Sequence, residues 1–150
     1  MSDERCAHRD ATASGGTADV RAGAARFVTR GDGVPPSLSG ASHAVAIGPI
    51  CHTGGQLAID SSGRLVDGPV GTQAQLAFQN LLAVLAAAGF ARSEIVFIDI
   101  ALTEIGELPA VNAEFNRVFP DLPRPARAVL EASALPLGGK VRLHALAVRG

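Results

Sequence analysis

Two consecutive stretches decide the fold, GTQAQLAFQNLLAVLAAA at residues 71–88 and IVFIDIAL at residues 95–102. In the first, apolar residues recur at spacings of three and four, which predicts a helix with one buried face. Thr72 followed by Gln75 matches a capping box at its start. The second stretch is almost continuously apolar and rich in β-branched residues, with Asp99 as the one interruption. It is typical of a well-buried strand.

Upstream of the helix, the pattern predicts short strands. Residues 43–47 and 50–53 are separated by the turn signal Gly48-Pro49, which favours a hairpin. Residues 26–29 indicate a further short edge strand.

Downstream, residues 107–119 predict a second helix, with Pro109 in its first turn and Pro120 ending it. Residues 127–132 and 140–148 alternate between two faces, as strands do. The order is β-β-(β)-α-β-α-β-β. This order predicts an α+β fold in which a mixed sheet carries two helices on one face.

The length of 150 residues suits one domain. Residues 1–25 nearly lack large apolar side chains, so burial cannot offset their ordering entropy. We therefore predict a mobile tail at residues 1–25 and a folded domain at residues 26–150.

Charge and hydropathy exclude several classes of protein. The net charge is −1 and the pI about 6.4, which disfavours binding to nucleic acid or to an anionic membrane. No apolar run approaches the roughly 20 residues that span a bilayer, and no hydrophobic signal segment begins the chain. We expect a cytoplasmic protein.

Cys6 and Cys51 show no metal-binding spacing, so we expect no metal, no cofactor and no disulfide, with Cys51 in the core.

Six short pieces stand at the joints of these elements. They are Ser42-His43-Ala44-Val45, Thr53-Gly54-Gly55-Gln56 with Ile59-Asp60, Ala86-Ala87-Ala88-Gly89, Val111-Asn112, Pro125-Ala126-Arg127 and Leu135-Pro136. In this order and spacing they resemble the Rid (YjgF-like) family over residues 39–148. The resemblance implies a chorismate-mutase-like subunit and a homotrimer with sites in clefts between subunits. It also implies hydrolysis of reactive enamines or imines that carry a carboxylate.

By this resemblance, Arg127 is the arginine that binds the substrate carboxylate, and a guanidinium forms two parallel hydrogen bonds to such a group. The backbone of Ala128 and Val129 is then expected to contact the ligand, and Asn112 to line the cleft. From residue type alone, Arg127 is also consistent with a surface or interface ion pair, and Asn112 with a helix-surface position.

The largest departure from the family is Arg142, which stands where deaminating relatives carry a glutamate that activates water. Arginine stays protonated and cannot act as a general base. Together with Arg127, it would favour a ligand with two anionic groups. The alternative is an ion pair between Arg142 and a nearby acid such as Glu131.

Three other positions that are expected to line the substrate-binding site, Gly54 among them, also differ from the family. Val129 replaces a common cysteine, Gly54 a common serine, and Ala41 an aromatic residue. These differences predict an altered reaction, with weak or no activity on 2-aminoacrylate.

Histidine is the remaining candidate for a base, because imidazole titrates near neutrality. His52 lies two residues before Gly54, on the same face of its strand. We therefore assign His52 as the candidate base. Arg142 is a second catalytic candidate, because it stands at the position of the family's glutamate. His43 and His144 are chemically eligible, although a lone histidine is more often structural.

Two functions follow from this reading. The first is an imine or enamine deaminase-like hydrolase with an altered site, which binds a small carboxylate through Arg127. The alternative is a non-catalytic carboxylate-binding or regulatory trimer. Ribonuclease activity, attributed to some relatives, is disfavoured by the near-neutral charge and by Lys140 being the single lysine.

Overall fold

The computed structural model describes residues 25–150, so the tail predicted at residues 1–25 lies outside the described part except for Ala25. The described residues form six strands and two α-helices in the predicted order. These are β1 Arg26–Val28, β2 Ala44–Ile47, β3 Ile50–Thr53, α1 Val70–Ala87, β4 Ile95–Leu102, α2 Leu108–Val118, β5 Ala126–Glu131 and β6 Val141–Val148. None of the helices within residues 25–150 combines the length and apolarity that crossing a membrane requires.

All six strands form one sheet in the order β1-β2-β3-β6-β4-β5. Strands β4 and β5 are parallel, because α2 connects them as a crossover, and the remaining neighbours are antiparallel. The predicted mixed sheet is therefore confirmed. The last strand of the chain lies in the middle of the sheet, and β5 is an edge strand.

The core lies between one face of the sheet and the helices. Phe78 and Leu81 of α1 are fully buried, as are Ile98 and Ile100 of β4 and Leu143 of β6. The ring of Phe78 meets Phe115 of α2 edge to face, with ring centroids 6.4 Å apart. The α+β prediction with two helices on one face is confirmed. The opposite face of the sheet is covered by no helix of the described residues.

The predicted capping box at the start of α1 is wrong. The helix begins at Val70, after Pro69, and no side chain caps it. Gln73 instead connects this end of the helix to its surroundings. Its side chain donates to the Val66 carbonyl at 3.0 Å and accepts from the Lys140 amide at 2.8 Å. The buried Val70 is the first residue of the helix, two residues before the predicted cap. Thr72 therefore lies exposed within the first turn of the helix.

Cys51 lies in the core, as predicted, and burial raises the pKa of its thiol to about 11. The thiolate is the nucleophilic form of cysteine, so a buried, protonated thiol reacts slowly. In a Cys6→Ser variant we expect Cys51 to react with iodoacetamide at pH 8 at least about 100-fold more slowly in the native protein than in urea. Equal rates in the two states would show that the native protein exposes this thiol.

Candidate functional site

Arg127 lies near the start of β5, on the face of the sheet that carries the helices. Its Nη1 donates to Oδ1 of Asn112 at 2.7 Å, and its Cζ lies 4.8 Å from the centre of the Phe115 ring. Asn112 and Phe115 are three residues apart on α2 and so lie on one face of that helix. An amide and an aromatic ring thus orient the guanidinium, and no group within residues 25–150 accepts a hydrogen bond from its other N–H donors.

Arg127 is exposed, and no carboxylate within residues 25–150 forms an ion pair with it. The intrachain ion pair considered from the sequence is thus not formed by the described residues. A positioned guanidinium without a carboxylate partner is suited to binding an anion from outside the chain.

The other predicted ligand contacts on β5 are backbone contacts. Val129 turns its side chain toward the core, and Ala128 lies exposed on the opposite face. One edge of β5 pairs with β4, whereas the other edge has no strand beside it among residues 25–150. Its amides and carbonyls are therefore available to a ligand or to another chain.

A second group of polar side chains, which we call the polar cluster, lies on the helix-free face. It consists of Asp99 on β4, Arg142 and His144 on β6, and His52 on β3. The carboxylate Oδ2 of Asp99 lies 3.8 Å from Nη2 of Arg142 and 3.5 Å from Nδ1 of His144. The rings of His52 and His144 stack with centroids 5.3 Å apart.

The suggested pairing of Arg142 with Glu131 is wrong, because the two side chains lie on opposite faces of the sheet. Glu131 instead accepts a hydrogen bond from the Ile105 amide at 2.8 Å. The acid that pairs with Arg142 is Asp99, which the sequence reasoning did not name. The signal was an acidic residue within an apolar strand, but its partners are defined only by the register that places Asp99 opposite His144.

Arg142, His52 and His144 line an open pocket of about 420 Å³ together with Gly54 and Gly55. Arg142 lies directly over Gly55, where a Cβ would come within 2.7 Å of its Cδ. Glycine at position 55 therefore leaves the space that the Arg142 side chain occupies.

The pKa of His144 lies below the ordinary histidine value. Burial is the largest cause, and the charge of Asp99 opposes it by raising the pKa. His52 and Arg142 lower the pKa further. The imidazole of His144 is therefore neutral at physiological pH, since its ordinary pKa is already near 6.5.

His43 and Ala41 lie beside an adjoining apolar cavity of about 380 Å³, which also reaches Gly54. The Nε2 of His43 is buried and has no hydrogen-bond partner among the described residues. His43 does not line the pocket formed by Arg142, His52 and His144. Within residues 25–150, no set of three or more histidine, cysteine or acidic side chains has an arrangement that would hold a metal ion.

Arg127 and Arg142 do not meet within one chain. Arg127 is in register with Ile98, and Arg142 with Ala101. Ile98 and Ala101 are an odd number of residues apart on β4, so the two arginines project from opposite faces of the sheet. A site that includes both must combine two copies of the chain.

The comparisons with known proteins agree with this architecture. Residues 34–149 match the family model described as Endoribonuclease L-PSP. The chain is 39% identical to Protein DfrA of Myxococcus xanthus, over 83% of this chain and 96% of that protein. It is 36% identical to the 2-iminobutanoate/2-iminopropanoate deaminase of Capra hircus, over 77% of this chain and 85% of that protein.

Among solved structures, RidA from an Antarctic Psychrobacter species superposes with a TM-score of 0.77 at 30% identity, covering 83% of this chain and 100% of that one. The family match spans more than half of the chain, and the sequence and fold similarities extend over the same region. The chain therefore belongs to the Rid (YjgF-like) family, the imine deaminase-like family whose model is named Endoribonuclease L-PSP.

Proposed function

We propose that this protein is an imine or enamine deaminase-like hydrolase with an altered site, which binds the carboxylate of a small 2-imino acid through Arg127 and has weak or no activity on 2-aminoacrylate. The observation that carries the proposal is the environment of the Arg127 guanidinium. It is exposed, oriented by Asn112 and Phe115, and has no acidic partner among the described residues. The names of the curated deaminase relatives supply the substrate class.

The proposed site is formed between subunits of a homotrimer. Arg127 and the pocket with Arg142 lie on opposite faces of one sheet, so a second copy must bring them together. The helix-free face also supports self-association, because it exposes several large apolar side chains. These are Phe27, Ile47, Ile50, Leu130 and Val148.

The test measures hydrolysis of 2-imino acids generated in place by an amino-acid oxidase, with semicarbazide as the competing trap. We expect the protein to accelerate formation of the 2-oxo acid, and Arg127→Ala to lower kcat/KM by at least about tenfold, the loss of one charged hydrogen bond. Arg124→Ala is the matched control. Arg124 is an exposed neighbour that donates hydrogen bonds to Asn116 and to the Pro120 carbonyl. The kcat/KM of Arg124→Ala should therefore stay within about twofold of the wild-type value.

Three results separate the alternatives. Equal rates for wild type and Arg127→Ala would place the chemistry elsewhere. Arg127-dependent binding of 2-oxo acids without any turnover would favour the non-catalytic carboxylate-binding or regulatory trimer. Light scattering should give three times the chain mass of 15.3 kDa, and a monomer would contradict the shared site.

A further inference from the structure

Hydrolysis of a C=N bond requires a group that takes a proton from water, and the polar cluster offers few such groups. Arg142 stays protonated and is excluded. Asp99 contacts the positively charged Arg142 at 3.8 Å and His144 at 3.5 Å, so its role is to pair with these two side chains. His52 and His144 remain, and both line the pocket beside Gly54 and Gly55.

Asp99 distinguishes the two histidines. It lies directly opposite His144 across the β4–β6 ladder, and its Oδ2 faces Nδ1 of that ring. A carboxylate at Nδ1 favours the tautomer with the proton on Nδ1, so the lone pair is on Nε2. The same carboxylate stabilises the imidazolium that forms when Nε2 gains a proton, as in other histidine–carboxylate pairs.

His52 has no such support. Its Nδ1 lies 3.1 Å from the Thr53 carbonyl oxygen, a neutral acceptor. This contact orients the ring without offsetting a positive charge on it. The geometry therefore favours His144 over His52, the catalytic candidate chosen from the sequence, because Asp99 lies at Nδ1 of His144 and a neutral carbonyl lies at Nδ1 of His52.

We propose that His144 is the general base of this site and that Asp99 is its positioning residue. The inference rests on the proposed hydrolase function. Nε2 of His144 removes a proton from water while the water oxygen bonds to the imine carbon. The C=N π electrons move to nitrogen, which takes the proton back from His144, so that a carbinolamine forms.

In the second step, His144 accepts the hydroxyl proton and returns it to the amine nitrogen. The C–N bond breaks, the C=O bond forms, and ammonia leaves with the bond's electron pair. The net reaction consumes one imine and one water and yields one 2-oxo acid and one ammonia. Arg142 remains protonated throughout, and with His52 it favours the neutral form of His144 that the first step needs.

The test compares the variants His144→Asn, Asp99→Asn and His52→Asn in the hydrolysis assay over pH 5–9. We expect His144→Asn to lower kcat by about 10²- to 10⁴-fold with little change in KM, the scale of general base catalysis. Arg64→Ala, whose side chain is 81% exposed, is the control and should keep the wild-type rate.

The pH profile separates catalysis from structure. Wild-type kcat/KM should fall toward acid as His144 becomes protonated, with a midpoint below 6.5. The groups that face this ring are Asp99, His52 and Arg142, from the two neighbouring strands and its own. Asp99→Asn removes the one influence that raises the pKa, so the acid limb should move to lower pH. An unchanged limb would contradict the role of Asp99.

Nitrogen-15 NMR of the histidine rings in the wild type provides a readout that does not depend on turnover. We expect His144 at pH 7 to carry its proton on Nδ1, and its Nε2 signal to move when 2-oxobutanoate binds. The opposite tautomer, or a wild-type rate in His144→Asn, would overturn the assignment. Arg127-dependent hydrolysis that survives His144→Asn refutes this inference alone, whereas hydrolysis that does not depend on Arg127 refutes the proposed function.

Discussion

Arg127→Ala should weaken the binding of a 2-oxo acid such as 2-oxobutanoate by roughly 10- to 150-fold in calorimetry. That range corresponds to about 1.5–3 kcal/mol, the contribution of a hydrogen bond to a charged group. The substitution removes the guanidinium, while the cradle formed by Asn112 and Phe115 remains. The loss should therefore come from the ligand contact and not from a change in the fold.

Arg127→Lys tests the geometry of the contact. An ammonium retains the charge but lacks the planar fork that binds both carboxylate oxygens, so this variant should regain only part of the affinity. Arg124→Ala should bind like the wild type. Unchanged affinity in Arg127→Ala would show that the carboxylate binds elsewhere, and full recovery by lysine would argue against a bidentate contact.

Phe78→Ala should destabilise the protein by about 3–5 kcal/mol, the usual cost of removing a buried aromatic ring. Phe78 is fully buried in α1 and meets Phe115 of α2 edge to face. The cavity would thus open between the two helices and the sheet. Since domains of this kind are stable by only about 5–15 kcal/mol, this loss is a large part of the total.

Urea denaturation at one fixed protein concentration measures this effect, because self-association links stability to concentration. Gln79→Ala, at the exposed neighbouring position, is the control and should change the free energy of unfolding by less than about 0.5 kcal/mol. A loss below about 1 kcal/mol for Phe78→Ala would mean that the surrounding helices collapse into the space. The variant should also weaken carboxylate binding, because Phe115 packs against both Phe78 and Arg127.

The secondary structure was largely predictable because both helices and the inner strands β4 and β6 bury one face with a regular period. The predicted strand at residues 95–102 coincides with β4 Ile95–Leu102, and the predicted helix at residues 71–88 agrees with α1 Val70–Ala87 within one residue at each end. The capping box was the exception. Local hydrogen-bonding signals such as Thr72 compete with burial, and here the buried Val70 and the loop contacts of Gln73 set the start of the helix.

The candidate site was less predictable. The motif around Arg127 is continuous in sequence, so the resemblance located it directly. The structure added the contacts of that side chain with Asn112 and Phe115. Asp99 and Arg142 are far apart in the chain, and neither carries a local signal for the other. Their contact depends on β6 lying beside β4 in the sheet.

The sequence by itself determined the α+β class, the order of the elements, the family, and Arg127 as the candidate for carboxylate binding. These properties follow from periodicity and from short motifs, which are local in the chain. Only the tertiary structure decided that Asp99 lies between Arg142 and His144, and that Arg127 projects from the opposite face. Strand order and register set these relations. They depend on pairing between segments distant in sequence, which no local pattern specifies.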